Sequence, residues 1–190
     1  MAKFKMTPTV PTGQVVTARV GTTGTKLVDN DYGKFVKVIA DSNYDLCAAG
    51  DPIEGVFIAR ETATQDNFAI GSVQTGGRVE ALCDGLEATP GTGTIAVGDY
   101  VVCGTVVAAG TAMTSTTGPK VTKATNQPGT AIVSTVATAD TAAAVKVALD
   151  AVLVKVADAE ANAMFAWRVM SLGNAGAVGD TCVIERVTVS

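Results

Sequence analysis

No histidine occurs anywhere in the 190 residues, and this absence excludes more chemistry than any other feature. Ser-His-Asp and Cys-His catalysis, imidazole metal sites and a charge switch near pH 6 all require the imidazole. Charge is scarce too, at 17% of residues against the usual value of about 25%. The net charge is −4, whereas phosphate-backbone binding needs a basic face. Lys3 and Lys5 form the densest basic spot, so no nucleic-acid partner is expected. Aromatics are only 5%, yet hydrophobic residues reach 47%. Such a chain buries enough apolar surface to escape disorder. The same composition is expected to exclude a coiled coil. No 18-residue apolar stretch qualifies as a membrane span, so no membrane partner is expected either.

The four cysteines, Cys47, Cys83, Cys103 and Cys182, are scattered without a Cys-x-x-Cys pair. All but Cys47 lie in apolar runs, which suits buried, free thiols. Two disulfides remain the alternative. Residues 1–8 contain no apolar signal core, so a reducing cytoplasm is the expected place of synthesis. A solvated surface normally carries about 25–35% charged residues. This chain is poor in them, so much of its outer surface is expected to be covered in an assembly; a Thr- and Ser-coated soluble domain is the alternative.

Residues 1–30 are rich in Thr, Gly and Pro and read as an extended arm, with Val15 to Val20 pairing as one edge strand. Short apolar runs then follow: Lys34–Ala40, Pro52–Ala59, Asn67–Val73, Arg78–Leu82, Thr94–Cys103 and Thr105–Ala109. Gly and Asp punctuate them, and Gly76-Gly77 reads as a hairpin-type turn. This rhythm predicts an all-β fold of small sandwich or barrel modules. An internal echo divides the chain. Gly55-Val56-Phe57-Ile58 recurs as Gly129-Thr130-Ala131-Ile132, and Ala96-Val97-Gly98-Asp99 recurs as Ala177-Val178-Gly179-Asp180, with Ala49-Gly50-Asp51 before a third strand. The expected organisation is an arm over 1–30, one β module over 31–127 and a related module over 128–190.

Residues 141–166 read two ways. Val145, Leu149, Val152 and Val156 share a helical face, but Val145, Val147 and Leu149 also alternate, as do Val152, Val154 and Val156. By analogy with Asn67–Leu82 a hairpin turning at Asp150-Ala151 is preferred, with a short helix near 157–164. Phe165, Trp167 and Val169 then share a face of a late strand, and Cys182–Val189 closes the sheet.

No catalytic, cofactor-binding or metal-binding set emerges. Gly91-Thr92-Gly93-Thr94-Ile95-Ala96 fits a loose dinucleotide fingerprint, but a strand follows where a helix is needed. Asp29-Asn30-Asp31-Tyr32-Gly33 lacks the third ligand and the bidentate Glu of a calcium loop. No Ser has a Lys three residues on. Glu80, Asp84 and Glu87 read as ordinary surface carboxylates, and Lys146 and Lys155 as the solvent side of strands.

From Lys34 to about Val107 the residues fall into an ordered series. Lys34-Phe35-Val36-Lys37-Val38 leads through Ala48-Ala49-Gly50-Asp51 to Pro52-Ile53-Glu54-Gly55-Val56. Ala69-Ile70-Gly71, Gly76-Gly77-Arg78-Val79 and Ile95-Ala96-Val97-Gly98-Asp99-Tyr100-Val101 follow. This series resembles the small capsid cement, or decoration, proteins of tailed bacteriophages, in which Pro-Ile-Gly-Val stands where Glu54 intervenes here. The resemblance implies a non-enzymatic virion protein, made in the host cytoplasm. It would bind the major capsid protein on the outer face of the expanded head, as a homotrimer. Phe4 and Met6 are then the candidate capsid contacts of the arm. A secreted or surface β module binding carbohydrate is the alternative, for which Trp167, Tyr32, Tyr44 and Tyr100 are the available aromatics.

Overall fold

The computed structural model describes residues 15–21, 27–39, 43–61, 69–125, 141–164 and 167–187. Five strands come first: β1 (Val15–Arg19), β2 (Phe35–Val38), β3 (Tyr44–Leu46), β4 (Gly55–Arg60) and β5 (Ile70–Gln74). They form a sheet of order β1-β5-β4-β2-β3. A bridge from Val20 to Tyr44 joins its two edges into a small barrel. Val20, Leu27, Val36, Phe57 and Val73 fill that barrel. β1 lies at an edge of the sheet, as the sequence predicts for Val15 to Val20.

The second sheet holds β6 (Arg78–Leu86), β7 (Thr89–Pro90), β8 (Tyr100–Cys103), β9 (Lys120–Lys123), β10 (Trp167–Leu172) and β11 (Thr181–Arg186). Its order is β11-β10-β8-β9-β6-β7, and β11 also pairs with β6. That extra pairing closes β6, β9, β8, β10 and β11 into a second ring, with β7 hung on its rim. Strands β10 and β11, expected in a module over 128–190, thus share one sheet with strands from 31–127. The expected boundary at 127 runs through that sheet, and the echo segment at 129–140 lies outside the described residues.

Alternation explains how the two rings share a core. In β2, Val36 points into the first barrel while Phe35 joins the larger core; in β4, Phe57 and Val56 divide the same way. Both faces of these strands are therefore apolar, as in any strand buried on both sides. The larger core adds Cys47 and Ile53 from the first ring to Val79, Cys83, Val101, Val121, Trp167, Val169 and Ile184 from the second.

Three local expectations are corrected. Gly76 and Gly77 do form a bend, with Gly77 at φ +81°. The strands on either side, β5 and β6, nevertheless lie in different sheets, so the bend is a crossing and not a hairpin. Thr105–Ala109 forms no strand. It is a loop pinned instead by Lys34 Nζ, which donates to the Ala108 carbonyl at 2.7 Å. Third, the segment preferred as a hairpin is a helix, α1 (Ala142–Met164), which absorbs the short helix near 157–164. Nine of its 23 residues are alanine, the best helix former. Asp150-Ala151 lacks the glycine that the positive φ of a two-residue hairpin turn favours. Thr141 caps the start, accepting from Ala144 N at 3.3 Å, and Lys146 pairs with Asp150 at 2.7 Å across one turn.

The cysteines are free and buried, yet they are not isolated. Cys47 has Cys103 as a neighbouring thiol and Cys182 has Cys83, and Cys47 Sγ donates to the Pro52 carbonyl at 3.7 Å. The neighbouring thiol, followed by burial, holds the Cys47 and Cys182 thiols far above the usual thiol range. Native protein without reductant is therefore expected to react slowly with a thiol reagent at pH 8. It should yield four thiols once unfolded. Prompt reaction of the native protein, or a count of zero after unfolding, would contradict the buried dithiol arrangement.

Candidate interaction surface

A single turn recurs at three places that matter for the shape of the surface. In Ala48–Asp51, Ala96–Asp99 and Ala177–Asp180 the Asp carboxylate accepts from the first residue's N–H, at 2.6, 2.8 and 2.9 Å. The Asp N–H returns a bond to the first residue's carbonyl each time, at 3.1, 3.1 and 3.0 Å. The third residue is Gly50, Gly98 or Gly179, with φ of 84°, 95° and 90°, a region costly for any side chain. Each turn then docks on one residue of a strand. Gly50 N donates to the Cys103 carbonyl, Gly98 N to that of Val169 and Gly179 N to that of Cys83, all at 2.8 Å. The docked residue donates back to the Asp carbonyl. The Gly-Asp pairs in the sequence thus mark strand entries because the Asp side chain closes the turn that starts the ladder.

Two of these turns meet. Ile95 N donates to the Gly176 carbonyl at 2.9 Å, and Thr94 bridges Ala177. Gly85, at φ +82°, lets the backbone of Thr92 lie against β6, where a Cβ would collide with the Thr92 carbonyl. Arg168 braces the assembly, donating to the Gly98 carbonyl at 2.7 Å and lying over the Tyr100 ring. Residues 88–98 and 171–179 carry no charged side chain, and they form one end of the second ring. There Leu86, Val97 and Val178 are exposed, Val97 by 60%. Asp99 and Asp180 turn a carboxylate oxygen back into their own turns, and Asp99 pairs with Lys123 at 3.0 Å, so the projecting residues are neutral as well as partly apolar, with the charged Asp99, Arg168 and Asp180 bordering them. The equally uncharged segment 104–119 is also largely exposed.

The residues weighed for chemistry are employed elsewhere. Asp31 is fully buried and binds Lys34 at 2.7 Å. Asp29 accepts from Tyr32 and Arg60. Asp84 is buried against Thr105 N and Lys120, and Glu87 accepts from Thr125 N. Gly91–Ala96 forms turn and bridge residues with no helix behind it. Among the described residues no group of three or more His, Cys, Asp or Glu could hold a metal ion. A cleft lined by Cys47, Cys103, Val106, Met113 and Pro119 has about 20 Å³, room for a water but no organic ligand. Trp167 is wholly buried, so it offers no face for stacking on a sugar. Phe4 and Met6 lie outside the described residues. Sequence reading missed the neutral end because its residues are distant in the chain; their lack of charge was the available signal.

No family model matches the chain, and neither a curated protein nor a solved structure matches it.

Proposed function

We propose that this protein is a structural component of a tailed-phage head, made in the host cytoplasm, that binds the outer face of the expanded shell and clamps neighbouring major capsid protein subunits together. The observation that carries this reading is the neutral end, where Val97 and Val178 stand exposed on turns locked to the sheet. Rigid, uncharged, partly apolar projections suit burial against another protein, since they lose little entropy and desolvate no charge. A protein that binds only the expanded lattice stabilises that lattice by mass action. Several copies joined together add avidity to each weak contact. The arm, with Phe4 and Met6, extends the contact across a subunit boundary.

Cosedimentation with expanded heads tests the reading. Burying one valine, phenylalanine or methionine side chain is worth roughly 1.5–3 kcal/mol. Val97→Asp with Val178→Asp, and separately a chain beginning at Gln14, should each bind expanded heads about tenfold to hundredfold more weakly. Trp167 emission should stay unchanged in both. Failure of the full chain to bind expanded heads would end the proposal, and equal affinity of a variant would remove that contact from it.

A further inference from the structure

α1 spans 23 residues, about 34 Å at the usual rise, and no strand packs extensively against it. Val147, Leu149, Leu153 and Val154 each leave more than half their surface in solvent, and Val145 leaves 41%. A helix apolar on so many sides is ordinarily covered by something. A bilayer is a poor fit, since no described helix is long and apolar enough to cross a membrane.

The sequence phase of the helix indicates the occupant. Ala142, Val145, Leu149, Val152, Val156, Ala159 and Ala163 follow spacings of three and four in strict alternation from one end to the other. That is the a and d repeat of a coiled coil, with Ala142, Leu149 and Val156 at a and Val145 and Val152 at d. Whole-chain composition conceals it, because it occupies so small a part of the sequence. An uninterrupted repeat is self-complementary: in parallel register each layer meets its own copy. Lys146, Asp150 and Lys155 mix both signs, so identical helices meet no large field of one sign. The layer chemistry also bears on the number of strands. β-branched residues at a with leucine at d favour two strands, whereas leucine at a with β-branched residues at d shifts the preference to three or four. Here the central layers, Leu149 at a and Val152 at d, follow the second order, whereas Val156 at a follows the first. Ala148 and Leu153, at the flanking g and e positions, widen the apolar seam as a higher oligomer requires.

We infer that α1 is the self-association element of this protein, joining three copies in a parallel coiled coil along Val145, Leu149, Val152 and Val156. The inference rests on the cement reading, with the homotrimer that the resemblance implies, and specifies what holds the copies together. It is tested in solution without heads, so its failure is separate from failure of head binding.

Sedimentation equilibrium of the full chain should give three times the 19.2 kDa of one chain. Leu149→Asp with Val152→Asp should give the single-chain mass at the same concentration. Leu149→Ala with Val152→Ala keeps helix propensity and should weaken association at least tenfold. Val147→Asp with Val154→Asp, at the outward f positions, should stay trimeric. Trp167 emission reports whether the β body is intact in each. A monomeric or dimeric full chain overturns the inference. So does a trimer that survives both seam variants with an intact body, or one dissociated equally by the f-position variant. A monomer that still bound expanded heads would leave the cement reading standing.

Discussion

Alanine at Asp31 is expected to destabilise the protein by about 3–5 kcal/mol, the usual loss when one partner of a buried ion pair is removed. The carboxylate is fully buried and every contact it makes is structural. Oδ1 accepts from Lys34 Nζ and Gly110 N, each at 2.7 Å, and Oδ2 accepts from Val28 N at 2.8 Å. Without it the Lys34 ammonium, only 5% exposed, keeps the Ala108 carbonyl as a neutral acceptor. Two backbone N–H groups also lose their partner. Asp31→Asn keeps the shape but not the charge, and should fall between wild type and alanine. Replacing Lys34 by methionine should also cost less than Asp31→Ala, because the carboxylate retains two backbone donors. Urea unfolding followed by Trp167 emission measures all three. A loss below about 1 kcal/mol for Asp31→Ala, the scale of an exposed pair, would refute the network.

Trp167→Ala should cost about 3–5 kcal/mol as a large core truncation. Its second effect is more diagnostic. The indole is wholly buried in the larger core, and Nε1 donates at 2.9 Å to the Ile53 carbonyl, just before β4. It therefore ties the second ring to the first. Removing it takes away packing and leaves a buried carbonyl without its donor. The wild type is expected to unfold in one cooperative transition, and in Trp167→Ala that transition should broaden or split, because the rings lose a buried coupling. Trp167→Phe keeps most of the volume and should cost about 1–2 kcal/mol, chiefly the lost hydrogen bond, with one transition retained. Far-ultraviolet circular dichroism follows both variants. An unsplit transition with a loss under about 1 kcal/mol in Trp167→Ala would show that the rings are joined by other contacts.

Strand positions were legible because they depend on local pattern. Apolar runs broken by Gly and Asp located β2, β4, β5, β6, β8, β10 and β11 to within a few residues. The Gly-Asp turns were legible for the same reason, since their bonds lie within four residues. Pairing was not. Nothing near Gly76 and Gly77 reveals that β5 and β6 part company there, because partners of β6 lie in β9 and in β11. The short β3 and β9 escaped notice, with β3 only three residues long. For α1, alternation and helical phase were both present in the valines, and alanine propensity with the capped start decided the matter. The neutral end needed folding to bring 88–98 beside 171–179, whereas the scarcity of charge behind it was visible in the composition.

The closure of the second ring by β11 against β6 sets an order of events during synthesis. The first barrel is complete once Gln74 has emerged, so it can fold while the rest of the chain is still being made. The second cannot: Arg78 pairs with Glu185, 107 residues later. Until β11 is released, β6 keeps an open edge, and the expensive loop closure waits for it. The first barrel meanwhile holds one wall of the shared core ready, with Phe35 and Val56 waiting for Trp167. Such a protein matures only once β11 has emerged, and its vulnerable interval is the one in which β6 is exposed and β11 has yet to arrive.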